Sequence, residues 1–125
     1  MKLSTQYGEF LGTIDWNYFS TLSFKWDVKQ KQCERVMHKL TDRLIKHFKD
    51  INIFWIAEYH KNMTSTHTHL LVRGDETIKM HINDYWRKNN LGDSKGIKHE
   101  VYNKSKGAHY YVSKYIDKDV KYGIY

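Results

Sequence analysis

Two histidines, His67 and His69, stand one residue apart in the run Ser65-Thr66-His67-Thr68-His69-Leu70-Leu71-Val72. β-Branched and aliphatic residues make this run read as a buried strand. Side chains alternate faces along a strand, so both imidazoles point the same way from a rigid support. Such a pair is half of a divalent-metal site. The doublet also occurs as plain hydrogen-bonded strand histidines, and alone it does not separate the two readings.

A metal site needs a third ligand. Glu58, in Trp55-Ile56-Ala57-Glu58-Tyr59-His60, is the first candidate because its strand is expected to pair with that of the histidines. Register decides. If paired residue numbers sum to 125 or 127, Glu58 faces His67 or His69 on one side of the sheet; an even sum turns it to the other side. His60 shares its parity and is the reserve. Two imidazoles and a carboxylate suit Mn²⁺ better than the harder Mg²⁺, the other ion considered. His38, His47, His81, His99 and His109 are scattered and read as surface or packing residues.

A second group of reactive residues lies in Tyr110-Tyr111-Val112-Ser113-Lys114-Tyr115. On a helical wheel of about 100° per residue, Tyr111 and Tyr115 fall within about 40° of each other. They border an apolar stripe of Ala108, Val112 and Ile116, with Lys114 and Lys118 alongside. A phenol with a pKa of about 10 is a weak nucleophile at neutral pH. Neighbouring ammonium groups favour the phenolate and hold a phosphodiester in place. The plain alternative is that these tyrosines cover the core with their hydroxyls in water. Tyr111 is the first choice of nucleophile, Tyr115 the second and Tyr110 the third.

These groups need a scaffold, and 125 residues suit one domain spanning the whole chain, residues 1–125. Lys and Arg number 21 against 14 Asp and Glu, a net charge of +7 that favours a polyanionic partner. No apolar run approaches the roughly twenty residues needed to span a membrane, and the start carries no apolar export segment. Cys33 is the single cysteine, which excludes an internal disulfide and a thiolate zinc cluster and fits a reducing, cytoplasmic setting.

The aromatic run from Trp16 to Phe24 predicts a first strand. Asp27 is a candidate cap for a helix whose Cys33, Val36, Met37, Leu40, Leu44 and Phe48 form one apolar stripe. Strands follow at Ile53–Tyr59 and around His67, ending at Gly74-Asp75. A second helix is marked by Ile78, Ile82, Tyr85 and Trp86 and closed by Asn89-Asn90-Leu91-Gly92. Ile97, His99 and Val101 alternate as a fourth strand, and Ser105 opens a last helix running to about Asp119. The order β-α-β-β-α-β predicts an α+β, ferredoxin-like (RRM-like) antiparallel sheet with helices on one face and an extra C-terminal helix. The histidine strand is then central.

Three ordered stretches resemble the HUH superfamily of single-strand endonucleases, and most of all the rolling-circle replication initiators (Rep) of small phages, viruses and plasmids. Phe19-Ser20-Thr21-Leu22-Ser23 is similar to the family's first-strand motif, His67-Thr68-His69 to its metal motif, and Tyr111 to Lys114 to its Tyr-x-x-Lys motif. Tyr111 with Tyr115 further resembles the two-tyrosine initiators. The resemblance implies a divalent metal, Mn²⁺ or Mg²⁺, that polarises the scissile phosphate of single-stranded origin DNA. It also implies a tyrosine that becomes joined to the 5′-phosphate and releases a 3′-hydroxyl. One departure is Thr68, where the family usually has a bulky apolar residue; it is expected to face away and pack harmlessly. With no helicase domain here, replication would need a host or viral helicase and polymerase, and a dimer is one assembly left open. Lys106 and Lys118 are expected to contact DNA backbone. Two readings compete: a single-tyrosine transposase of the same superfamily, and a non-catalytic RRM-like module that stacks bases on Trp16 and Tyr18.

Overall fold

Among the described residues, an antiparallel sheet with apolar clusters on both faces is covered on one side by two amphipathic helices. The computed structural model describes residues 11–26, 28–59, 66–92, 94–103, 105 and 121–124. Strand β1 is Tyr18–Ser23, helix α1 Gln30–His47, strand β2 Asn52–Tyr59, and strand β3 Thr66–Arg73. Helix α2 is Ile78–Lys88, strand β4 Ile97–Val101 and strand β5 Lys121–Ile124, with a 3₁₀ turn at Ser94–Gly96 before β4. The sheet order is β4-β1-β3-β2-β5, with every neighbouring pair antiparallel. The first four strands have the expected ferredoxin-like order, and β3 is central.

β5 has no counterpart among the elements that periodicity predicts. Lys121-Tyr122-Gly123-Ile124 is short and carries a glycine, which weakens a strand signal; its pairing with β2 is a tertiary contact. The expected last helix and the Asp27 cap fall outside the described residues. Helix α1 begins after Lys29 without a side-chain cap.

Both predicted helical stripes meet the sheet. Cys33, Met37, Leu40 and Leu44 of α1 and Ile78, Ile82 and Trp86 of α2 pack on Tyr18, Leu22, Ile53, Trp55, Ala57, Leu70 and Val72. Burying each large aliphatic side chain contributes about 1.5–3 kcal/mol. A smaller cluster forms on the opposite face, where Leu11 and Trp16 cover Phe54, Ile56 and Leu71, with Phe19 and Tyr102 at its edge. That face is therefore apolar beside the histidines.

Turn chemistry fixes the strand and helix ends. Gly74 has φ +152°, and a Cβ there would lie 2.6 Å from Ile78 Cδ1, so β3 stops where a side chain cannot continue. Asp75 Oδ1 then accepts from Thr77 N at 2.8 Å and Thr77 Oγ1 at 2.7 Å, which starts α2. Asn90, at φ 58°, ends α2 in the left-handed region, in keeping with the asparagine pair read as its stop.

A polar network crosses the helix side of the sheet. Asn83 Oδ1 accepts from His99 Nε2 at 2.8 Å, and Ser20 Oγ then donates to His99 Nδ1 at 2.6 Å. Burial, followed by the charge of Lys79, lowers the His99 pKa below its usual 6.5. The unfolded chain thus binds a proton at higher pH than the folded one. Stability from this group is present above about pH 6.5 and is lost as pH falls below it. His99→Ala is expected to destabilise by about 1–3 kcal/mol at pH 7.5, because the buried Ser20 hydroxyl loses its partner. The same variant should show a shallower loss of stability between pH 7.5 and 5. Urea unfolding at several pH values checks both.

Candidate metal and nuclease site

The β2–β3 register has paired numbers summing to 125: Asn52 faces Arg73, Ile56 faces His69, and Glu58 faces His67. This is one of the two registers that bring residue 58 alongside the histidines. Directly opposed positions in an antiparallel pair have Cβ atoms about 4.5–5.5 Å apart. His67 and His69 are half-buried on the sheet face turned away from the helices. Thr68 points to the helix side, fully buried, and its hydroxyl donates to Leu22 O at 3.3 Å. The residue that departs from the family pattern therefore packs into the core.

Strand β1 lies on the other side of β3, with Thr21 opposite His69 and Ser23 opposite His67. Ser23 Oγ and His67 Nδ1 share a hydrogen bond of 2.8 Å, and Thr21 Oγ1 and His69 Nδ1 one of 3.3 Å. The Phe19 ring lies parallel to His69, with centroids 5.5 Å apart and planes 9° from each other. Each imidazole is thus engaged at Nδ1 in a hydrogen bond whose direction depends on the ring's tautomer. From the sequence, Phe19, Thr21 and Ser23 read as a family motif without a contact. Their shared parity is the available signal, but the β1–β3 register is needed to aim them at the histidines.

The donor set fits a borderline divalent cation: two imidazoles on one face of a central strand, and Glu58 at the opposed position of the next. Glu58 is placed by its backbone and register alone. Among the described side chains, no three His, Cys, Asp or Glu converge on one point. The reserve ligand His60 lies outside the described residues, as do Lys106, Tyr110, Tyr111, Lys114, Tyr115 and Lys118.

Two expected contacts with nucleic acid are corrected. Trp16 is 5% exposed in the apolar cluster on the histidine face, with its Nε1 donating to Leu11 O at 2.8 Å. Tyr18 is 4% exposed on the helix side, edge-on to His99, and burial raises its pKa far above the usual 10. Alternating aromatic residues around β1 fill two apolar layers, so neither ring is placed to stack a base. Among the other histidines, His38 lies edge-on to Trp55, while His47 and His81 pack on Phe48.

Among the described residues, no helix is long and apolar enough to cross a membrane. No curated protein and no solved structure matches the chain. A family model for replication-associated proteins, those of the ORF2 type, matches residues 17–120, which include β1, the histidine strand and the tyrosine segment. With most of its length inside that match, the chain belongs to this ORF2-type family of replication-associated proteins, which supports a role in the initiation of replication and contact with DNA.

Proposed function

We propose that this chain nicks and rejoins single-stranded origin DNA through a covalent 5′-phosphotyrosine, as an HUH-type endonuclease with a divalent cation on Glu58, His67 and His69. The observation that carries the proposal is the register that pairs Glu58 with His67, and strand alternation gives paired positions the same sheet face. A cation bound there supplies polarisation of a non-bridging phosphate oxygen.

The chain's own residues do the rest. The Tyr111 phenolate attacks the scissile phosphorus, and the bond from phosphorus to the 3′ oxygen breaks. That oxygen takes a proton and leaves as a free 3′-hydroxyl, while the 5′-phosphate stays on the tyrosine. Lys114 favours the phenolate and holds the phosphodiester. Tyr115 is a second nucleophile for a later transfer. Attack by a 3′-hydroxyl on the phosphotyrosine reverses the step and joins DNA.

Chain connectivity supports this pairing of sites. The polypeptide leaves the sheet after β4, at one edge, with Tyr102 against the apolar cluster on the histidine face. It rejoins at Lys121, on the opposite edge, paired with Ala57 and so next to Glu58. Lys121 follows Tyr115 by six residues, which can span about 21 Å at most. That tether starts at the end of the sheet that holds the candidate ligands. The burial of Trp16 and Tyr18 removes two rings on which the binding-module reading relied.

The test is to incubate the protein with a pool of single-stranded oligonucleotides and Mn²⁺ and look for a covalent adduct on a denaturing gel. No adduct from any oligonucleotide would argue for a binding role. Binding itself should be electrostatic, given the +7 charge. Affinity for single-stranded DNA is expected to fall steeply with salt, and Lys118→Ala should reduce the log–log slope by about 0.7. Fluorescence anisotropy across a salt series checks this, and a flat response contradicts it.

A further inference from the structure

Strand β1 carries Phe19-Ser20-Thr21-Leu22-Ser23, and the proposed chemistry uses none of these side chains on DNA. Alternation divides them: Ser20 and Leu22 are buried on the helix side, while Phe19, Thr21 and Ser23 are half-exposed on the histidine side. We propose that Ser23 and Thr21 are positioning residues whose hydroxyls accept from Nδ1–H of His67 and His69, so that each imidazole presents its Nε2 lone pair to the cation. The inference rests on the metal reading above and adds to it the groups that choose the tautomer.

Neutral imidazole carries one proton on either nitrogen, and only the unprotonated nitrogen can ligate. A fixed acceptor at Nδ1 keeps the proton there and also sets the ring's rotation. Such outer partners typically alter metal affinity by about 10–100-fold when removed. The hydroxyl hydrogen of serine or threonine rotates to another direction, so either can act as the acceptor.

Ser23 is well placed because its backbone is held from the far side. Ser23 O accepts from Trp86 Nε1 at 3.1 Å, and Lys25 N, two residues on, donates to Leu91 O at 2.9 Å. Gly92 and Gly96 both approach Ser23 O so closely that a Cβ at either would lie 2.8 Å from it. The loop from α2 to β4 thereby clamps the end of β1 against β3, and the Ser23 hydroxyl with it. The Thr21 contact is longer, 3.3 Å against 2.8 Å, and His69 has the parallel Phe19 ring as a second restraint. Ser23 should therefore matter more than Thr21.

The experiment uses the metal-free chain and Mn²⁺ alone. Long-range ¹H–¹⁵N spectra report the tautomer of each histidine, and calorimetric titration reports Mn²⁺ affinity. His67 is expected in the Nδ1–H form. Ser23→Ala should move it toward Nε2–H and weaken Mn²⁺ binding about 10–100-fold. Ser23→Thr should restore both, and Thr21→Ala should act on His69 with a smaller loss. A Ser23→Ala protein that is folded by circular dichroism, with unchanged tautomer and affinity, overturns the inference while His67→Ala still fails to bind. If His67→Ala binds Mn²⁺ like the wild type, the metal reading itself falls, and the positioning role with it.

Discussion

Tyr111→Phe is expected to remove most or all of the covalent protein–DNA adduct while leaving DNA binding and folding intact. The substitution deletes one oxygen, the atom proposed to bond to phosphorus. Residual nicking would have to come from a neighbouring phenol. Tyr115→Phe should leave the first cleavage near wild-type level and impair a second transfer, because Tyr115 lies within about 40° of Tyr111 on a helical wheel. Peptide mapping of the adduct is the decisive measurement. A nucleotide on Tyr110, or on Tyr115 alone, would show that a different phenol is the nucleophile and would leave the metal site untouched.

His67→Ala is expected to abolish metal-dependent cleavage, with the fold unchanged. His67 is half-buried on the sheet face away from the helices, outside both apolar clusters. Its removal therefore opens no cavity in the core, and the thermal midpoint of the metal-free protein should move little. The imidazole is proposed as one of three ligands, next to Glu58 by register and bonded to Ser23 at 2.8 Å. Its loss removes a direct metal bond, which should cost more than the loss of Ser23. Cleavage assays with Mn²⁺, with and without chelator, give the readout. Equal cleavage by His67→Ala, or by wild type in chelator, would remove the metal from the mechanism.

Much of the fold was legible because periodicity carries it. The apolar stripe Cys33, Met37, Leu40, Leu44 meets the sheet as written, and so does Ile78, Ile82, Trp86. The doublet His67 and His69 shares a face by strand alternation alone, and Thr68 between them necessarily turns to the other side. Gly74 and Asn90 end their elements through backbone conformations that few other residues adopt.

The amino-acid order by itself thus determined which side chains share a face, since that depends only on local geometry. It did not determine what lies opposite them. Whether Glu58 stands across from His67 depends on a register that a one-residue slip would invert, and the pairing in the folded sheet decided it. The same holds for Trp16 and Tyr18, whose aromatic character suggested stacking until two packed layers buried them. It holds for β5, which is a strand because β2 has an open edge to pair with. And it holds for Ser23 and Thr21, more than forty residues from the histidines in sequence, whose hydroxyls reach Nδ1 because β1 and β3 are hydrogen-bonded neighbours. Local alternation is a property of the chain; proximity across strands comes only when the chain folds.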